Sequence, residues 1–247
     1  MQGFVLAARY LTIVPLPGRV AIPADALGRG AAWFPVVGAV IGLAVVVAER
    51  ATSWLFPSLL AALLTVTVWK LLTGGLHLDG LADCLDGLTG RDAEHRLAIM
   101  RDSRIGAFGA MGLILFLGLE VAAVAELAPA DRRHALLLAP VVGRAMPPVL
   151  GRLFRSARRD GHGAAFASGL TTTAALVALG LALVLSLALL GAAGLVAFAL
   201  ALLVSLAVGR FLAGRLSGIT GDVLGASVEA AELAVLLALS AWTHLRP

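Results

Sequence analysis

Charge is what this sequence has least of: Asp, Glu, Lys and Arg make up 14% of its 247 residues, against about 25% in a soluble domain. That scarcity excludes an ordinary water-soluble globule. Cysteine is nearly missing as well, Cys84 being the only one. There is therefore no disulfide framework and no cysteine cage for a metal, and Cys84 reads as a small buried side chain. No cleavable signal is recognisable, because Arg9 interrupts the first apolar run and no A-x-A site follows. An aromatic-basic patch is also lacking. The arginines are spread over several loops, so the net charge of +4 and the pI near 10.5 do not point to nucleic acid.

What remains is apolar. Hydrophobic residues make up 60% of the chain and the mean hydropathy is +0.97. They come in blocks long enough to cross a bilayer, which takes about 20 residues. Residues 3–14 are too short to span and are stopped by Pro15 and Pro17, so they read as an interfacial or re-entrant helix. Seven candidate spans follow, at residues 32–48, 55–73, 107–127, 135–150, 171–190, 193–208 and 228–245. Only the glycines at 191 and 194 divide the fifth from the sixth. The expected fold is an all-α, polytopic integral membrane bundle in one domain over residues 1–247, with no room for a soluble domain. Glycine in and around the spans permits close helix packing. Trp33, Trp54, Trp69 and Trp242 lie near span ends, as an aromatic belt requires. No internal repeat is evident.

With seven spans the loops sort by side. Arg9, Arg19 and Arg29, Arg91 to Arg104, Arg152 to Arg159, and Arg210 with Arg215 share one side. With Lys70 and Arg144 at nearby helix ends they hold 15 of the 19 basic residues. The positive-inside rule puts that side, and the N-terminus, in the cytoplasm. The motifs with chemistry in them fall on the same side.

The first motif is GGLHLDGLADCLDGL at residues 74–88. Asp79, Asp83 and Asp86 at i, i+4 and i+7 share one helical face. Three carboxylates so close repel unless a cation sits among them. Hard divalent cations take such ligands, and Mg²⁺ commonly combines one or two carboxylates with substrate phosphate and water. The bland alternative is a solvated acidic loop, but the interleaved leucines make the segment amphipathic and partly buried. His77 is a candidate base or hydrogen-bond donor to a phosphate, although a lone histidine is more often structural. The second motif is RDSRIGAFG at 101–109. Arg101 and Arg104, with Ser103 and Gly106 beside them, suit a pyrophosphate, and Asp102 could add a metal ligand. Juxtamembrane arginines obeying the charge rule are the alternative. The third is TGDVLGA at 220–226, where Asp222 could supply a distant carboxylate to the same metal or simply match a helix dipole. Glu229 and Glu232 lean to a supporting role. Arg158 and Arg159, near His162, could hold an anionic group. Glu120 lies deep in the third span, which makes it a functional candidate by default, with no partner evident.

On these three motifs, with the FPVVG run at 34–38, the chain resembles the cobalamin synthase family (adenosylcobinamide-GDP ribazoletransferase) over essentially its full length. The resemblance implies an Mg²⁺-dependent inner-membrane enzyme late in vitamin B12 assembly. It would join adenosylcobinamide-GDP to α-ribazole or its 5′-phosphate and release GMP. The proposed metal ligands are Asp79, Asp83, Asp86, Asp102 and Asp222, and Arg101 with Arg104 would neutralise the pyrophosphate. Membrane lipid is the expected surrounding, and a homo-oligomer or a complex with other cobalamin-assembly enzymes is left open. The nearest rival is a CDP-alcohol phosphotransferase of phospholipid synthesis. Its D-x2-D-G-x2-A-R pattern is not met, because Leu88, Thr89, Gly90 and Arg91 follow Asp86-Gly87. A cation-coupled transporter is a further alternative, although transporter sites lie near the bilayer midplane and these acids cluster at one surface.

Overall fold

The computed structural model describes residues 2–15, 25–158 and 162–246. Arg159, one of the expected anion-binding residues, lies outside them, as do Arg19 and the side chain of His162. The described chain is helical: α1 Gln2–Leu11, α2 Ala26–Arg29, a 3-10 turn Ala31–Trp33, α3 Phe34–Leu55, α4 Ser58–Leu72, α5 Leu76–Gly87, α6 Ala93–Ile99, α7 Ala107–Glu126, α8 Pro129–Leu153, α9 His162–Gly169, α10 Thr172–Leu216 and α11 Gly221–His244. Among the described residues, five helical segments are long and apolar enough to cross a membrane, or six with the bent pair α4–α5 counted as one. The protein is thus a multi-pass all-α bundle. The helices overrun the expected spans, most clearly at α8 and α11, because polar residues at helix ends still complete turns.

α8 and α11 form the interior, and α3, α10 and α5 pack around them. Glycine sets the closest approach. A Cβ on Gly38 would lie 2.4 Å from the Pro140 carbonyl oxygen, and one on Gly42 2.6 Å from that of Leu137. These two glycines, four apart on α3, bring its backbone onto α8. Pro140, Pro147 and Pro148 sit inside α8 and are buried, where neighbouring helices compensate for lost backbone bonds.

Two breaks place the functional end. Gly74 and Gly75 both have left-handed φ, 63° and 66°, which few other residues adopt freely. They turn α5 by 92° from α4, so the aspartate helix does not continue its span. The other break is Gly191, with φ 54° and ψ −127° inside α10. A Cβ on Gly194 would come 1.9 Å from the Ser186 carbonyl oxygen, whereas residues eight apart on a straight helix are separated by about 12 Å. The chain therefore reverses there, at the glycines that divide the fifth and sixth expected spans. Both ends of α10 consequently lie near the end of α8: Ser156 bridges Ile219, and the Leu170 side chain lies 2.9 Å from where a Cβ on Gly151 would be.

Candidate active site

The site is built where α5 crosses the first turn of α11. A Cβ on Gly80 would meet the Asp222 carbonyl oxygen at 2.8 Å, so the two helices touch backbone to backbone. Asp79, one residue before Gly80, is thereby brought to the same cavity as Asp222. That cavity has a volume of about 240 Å³, and its wall includes Tyr10, Phe34, His77, Asp79, Phe166 and Asp222. Asp79 is exposed, while Asp83 and Asp222 are half-buried.

Local bonds fix the acid on α11. Thr220 caps the helix, accepting from the Val223 N–H at 3.3 Å, and its hydroxyl donates to Asp222 Oδ2 at 3.1 Å. Arg158 Nη1 stands 3.9 Å from the same oxygen, and its Nη2 donates to the Leu97 carbonyl at 3.2 Å. A short backbone pairing holds this arginine in place: Ala157 N–H donates to Ile219 O at 2.8 Å, and Ile219 N–H to Arg155 O at 2.9 Å. Asp83, one turn on from Asp79, feels the charges of Asp79, Asp222, Asp86 and Arg158.

Asp86 is held by backbone bonds. Its Oδ2 accepts from Gly106 N–H and its Oδ1 from Gly109 N–H, both at 2.7 Å. The carboxylate is an anchor for the first turn of α7, favourable at a helix N-terminus. Cβ atoms on Gly106 or Gly109 would come 2.4 Å from it, which explains both glycines: they make room for a carboxylate rather than for a phosphate.

The RDSRIGAFG segment faces a second, wider cavity of about 690 Å³, whose wall includes Asp86, Thr89, Asp102, Arg104 and Gly106. Arg101 and Ser103 are exposed. Arg104 forks onto Asp102, with Nη2 to Oδ2 at 2.6 Å and Nε to Oδ1 at 3.0 Å. Hydrogen bonds from Arg104 hold the Asp102 carboxyl down at about 2. Asp102 is thus engaged by arginine, away from the wall that carries Asp79 and Asp222.

The five aspartates do not converge into one cage. Among the described residues, the one set of three metal-ligating side chains with atoms all within 4.8 Å of one another is Glu120, Glu229 and Glu232. Lys70 occupies its centre: Nζ lies 2.9 Å from Glu120, 2.6 Å from Glu229 and 3.1 Å from Glu232. Arg144 pairs with Glu232 as well. Glu120 therefore has a partner that the sequence did not reveal, and this buried cluster is a helix-to-helix pin. The residues that could hold a divalent cation are the smaller set, Asp79 and Asp222 on one cavity, with Asp83 one turn along α5. Two carboxylates that leave positions for phosphate oxygens and water match how Mg²⁺ is commonly held.

His77 is buried at the cavity wall, and its Nδ1 has no hydrogen-bond partner among the described residues. Tyr10 and Phe166 were not singled out from the sequence, and Phe34 entered only as the start of the FPVVG run. They come from α1, α3 and α9, and only the tertiary fold assembles them. Cys84 is buried as expected.

A family model described as cobalamin-5-phosphate synthase matches residues 3–240. Among relatives called adenosylcobinamide-GDP ribazoletransferase, one from Pseudomonas paraeruginosa is 40% identical over 242 residues, covering 97% of this chain and 98% of its own. One from Klebsiella pneumoniae is 39% identical, covering 97% and 99%, and one from Brevibacillus brevis is 36% identical, covering 97% and 98%. No solved structure matches the chain.

Proposed function

The chain belongs to the cobalamin-5-phosphate synthase family, and on that premise we propose that it transfers the adenosylcobinamide phosphoryl group of adenosylcobinamide-GDP to α-ribazole or its 5′-phosphate, releasing GMP. The observation that carries this reading is the placement of Asp79 and Asp222 on one cavity, with Arg158 beside Asp222. A family match over nearly the whole chain sets aside the phospholipid-synthesis reading. The transporter reading loses its cation path, since Lys70 already fills the buried glutamate cluster.

In the reaction a ribazole hydroxyl oxygen forms a bond to the corrinoid-bearing phosphorus, and the bond from that phosphorus to the GMP oxygen breaks. The hydroxyl proton passes to a carboxylate, a role we assign to Asp83, which lies one turn along α5 from Asp79 and feels the Asp79 and Asp222 charges. Phosphoryl transfer needs positioning and charge neutralisation more than covalent help. Asp79 and Asp222 would hold Mg²⁺, which supplies charge to the phosphate oxygens and the leaving group. Arg158 contributes a fixed positive charge at the same edge, and the exposed Arg101 could reach the outer phosphate. Arg104 is held by Asp102 unless substrate displaces it.

The proposed orientation sets this end of the bundle in the cytoplasm of a bacterial inner membrane, because the arginine-rich loops gather there. The test is release of GMP from adenosylcobinamide-GDP by purified, detergent-solubilised protein given α-ribazole. Release that requires both α-ribazole and Mg²⁺ is expected. A well-folded preparation that releases none overturns the assignment.

A further inference from the structure

A cavity of about 400 Å³ lies between the end of α8 and the second half of α10. Its wall includes Phe154, Arg155, Arg210, Gly214 and Ser217, and no carboxylate lines it. Arg155, Arg210, Gly214 and Ser217 are exposed, so the wall is open to the surroundings. Arg155 is held in place by its Nε, which donates to the Ser217 carbonyl at 3.2 Å. That bond leaves both Nη groups without a partner among the described residues. Arg210 makes no hydrogen bond or ion pair among them at all. A Cβ on Gly214 would meet only Arg210 Nη1, at 3.4 Å, so glycine there keeps the space beside the guanidinium clear. From residue 132 to residue 221 the sequence has nine arginines and one acid, Asp160, which lies outside the described residues. The positive-inside rule accounts for arginine on this side. It does not require two arginines to line one cavity without an acid, where their charges repel.

The helix that carries Arg210 says what kind of anion fits. Leu203, Ala207, Arg210, Phe211 and Gly214 stand at i, i+4, i+7, i+8 and i+11, on one face of α10, and all five are exposed. Leu203 is 63% exposed and Phe211 49%. Toward the end of α10 this face passes from apolar to cationic, as a bilayer passes from hydrocarbon to headgroup. Arg215 lies over the Phe211 ring at 4.7 Å, a cation placed at the same boundary. We propose that the cavity binds the headgroup of an acidic phospholipid, with its phosphate between Arg155 and Arg210 and its acyl chains along Leu203, Ala207 and Phe211. Guanidinium groups suit phosphate oxygens, which they can take in pairs, and basic pockets between membrane helices are a common place for anionic headgroups. A zwitterionic headgroup would bring its ammonium to a wall that has two cations and no acid. A soluble phosphate has no part that would use the apolar face. The site lies outside the phosphoryl-transfer machinery and does not depend on the function proposed above.

The experiment titrates the full chain in detergent with dioleoylphosphatidylglycerol and follows bound lipid by native mass spectrometry, with dioleoylphosphatidylcholine as the zwitterionic comparison. Wild type is expected to bind the acidic lipid about tenfold or more tightly than the zwitterionic one. Arg155→Gln combined with Arg210→Gln removes that preference. Arg91→Gln combined with Arg101→Gln takes two exposed charges from the same side and should change the affinity by no more than about twofold. Gly214→Leu keeps every charge, puts a side chain into the cavity and adds a better helix former, so it folds even if the arginine variant does not. It is expected to weaken binding of the acidic lipid about fivefold or more by filling the cavity. Equal losses in the two double variants would mean diffuse surface charge and overturn the site. So would wild-type binding by Gly214→Leu, or equal affinity for the two lipids. Displacement of the acidic lipid by excess inorganic phosphate would make this a site for a soluble anion and overturn the lipid assignment.

Discussion

Gly80 on α5 rests on the backbone of Asp222 on α11, with 2.8 Å between the position of its missing Cβ and the Asp222 carbonyl oxygen. No flexible side chain can give way there. Adding a methyl must separate the helices that carry the two cavity carboxylates. Gly80→Ala is expected to cost about 1–3 kcal/mol of stability through overpacking and, by displacing Asp79 from Asp222, up to about 10²-fold in kcat/KM. Steady-state kinetics beside thermal unfolding check this; wild-type kinetics in Gly80→Ala would mean that the approach is not needed.

Asp86 and Asp79 should separate cleanly under mutation. Asp86→Asn removes the charge that receives the Gly106 and Gly109 N–H groups, and charge-assisted bonds are worth about 1.5–3 kcal/mol. The midpoint of unfolding falls, and the Mg²⁺ concentration giving half-maximal activity stays as in wild type. A large shift in that concentration would make Asp86 a metal ligand after all.

Lys70 is held among three buried glutamates, its side chain only 9% exposed. Lys70→Met leaves those acids uncompensated and is expected to destabilise the protein by about 3–5 kcal/mol. Glu120→Gln reduces the excess of acids over bases in the same cluster and should cost less. Unfolding in detergent measures the order of the two; Glu120→Gln as the more damaging change would contradict it.

pH acts on the two carboxylate groups differently. A metal held by Asp79 and Asp222 competes with protons, so the Mg²⁺ needed for activity should rise as the medium is made acid toward about pH 5. Asp102 does not take part. Its folded value of about 2 lies below the usual carboxylate value of about 3.9. What its pair with Arg104 adds is present above the unfolded value and lost only as pH falls toward the folded one. Arg104→Gln should therefore leave the pH dependence of Mg²⁺ activation unchanged between about pH 5 and 8; a profile displaced by that variant would place Asp102 in the metal site.

Much of this was legible in the sequence, and the limits have physical reasons. Apolar blocks of bilayer length gave the helices, and Gly191 with Gly194 marked the reversal in α10. The i, i+4, i+7 aspartates did fall on one helix. Sharing a face is not the same as sharing a metal, however: seven residues of helix separate Asp79 from Asp86 by about 10 Å, and the helix ends on different neighbours, α11 at one and α7 at the other. A one-dimensional pattern cannot show that Asp86 is committed to the start of α7. Nor can it bring Lys70 to Glu120 and Glu229, or Tyr10 to Phe34 and Phe166, because those meetings depend on the crossing of distant helices. Arg158 was read as one of a loop pair; the backbone pairing with Ile219 is what sets it beside Asp222.

The most direct measurement is Mg²⁺-dependent conversion of adenosylcobinamide-GDP and α-ribazole by Asp79→Asn beside wild type, across a Mg²⁺ titration. The pairing of Asp79 with Asp222 at one cavity predicts a loss of at least about 10²-fold and a higher Mg²⁺ requirement for whatever activity remains. Wild-type turnover with an unchanged Mg²⁺ requirement would contradict it.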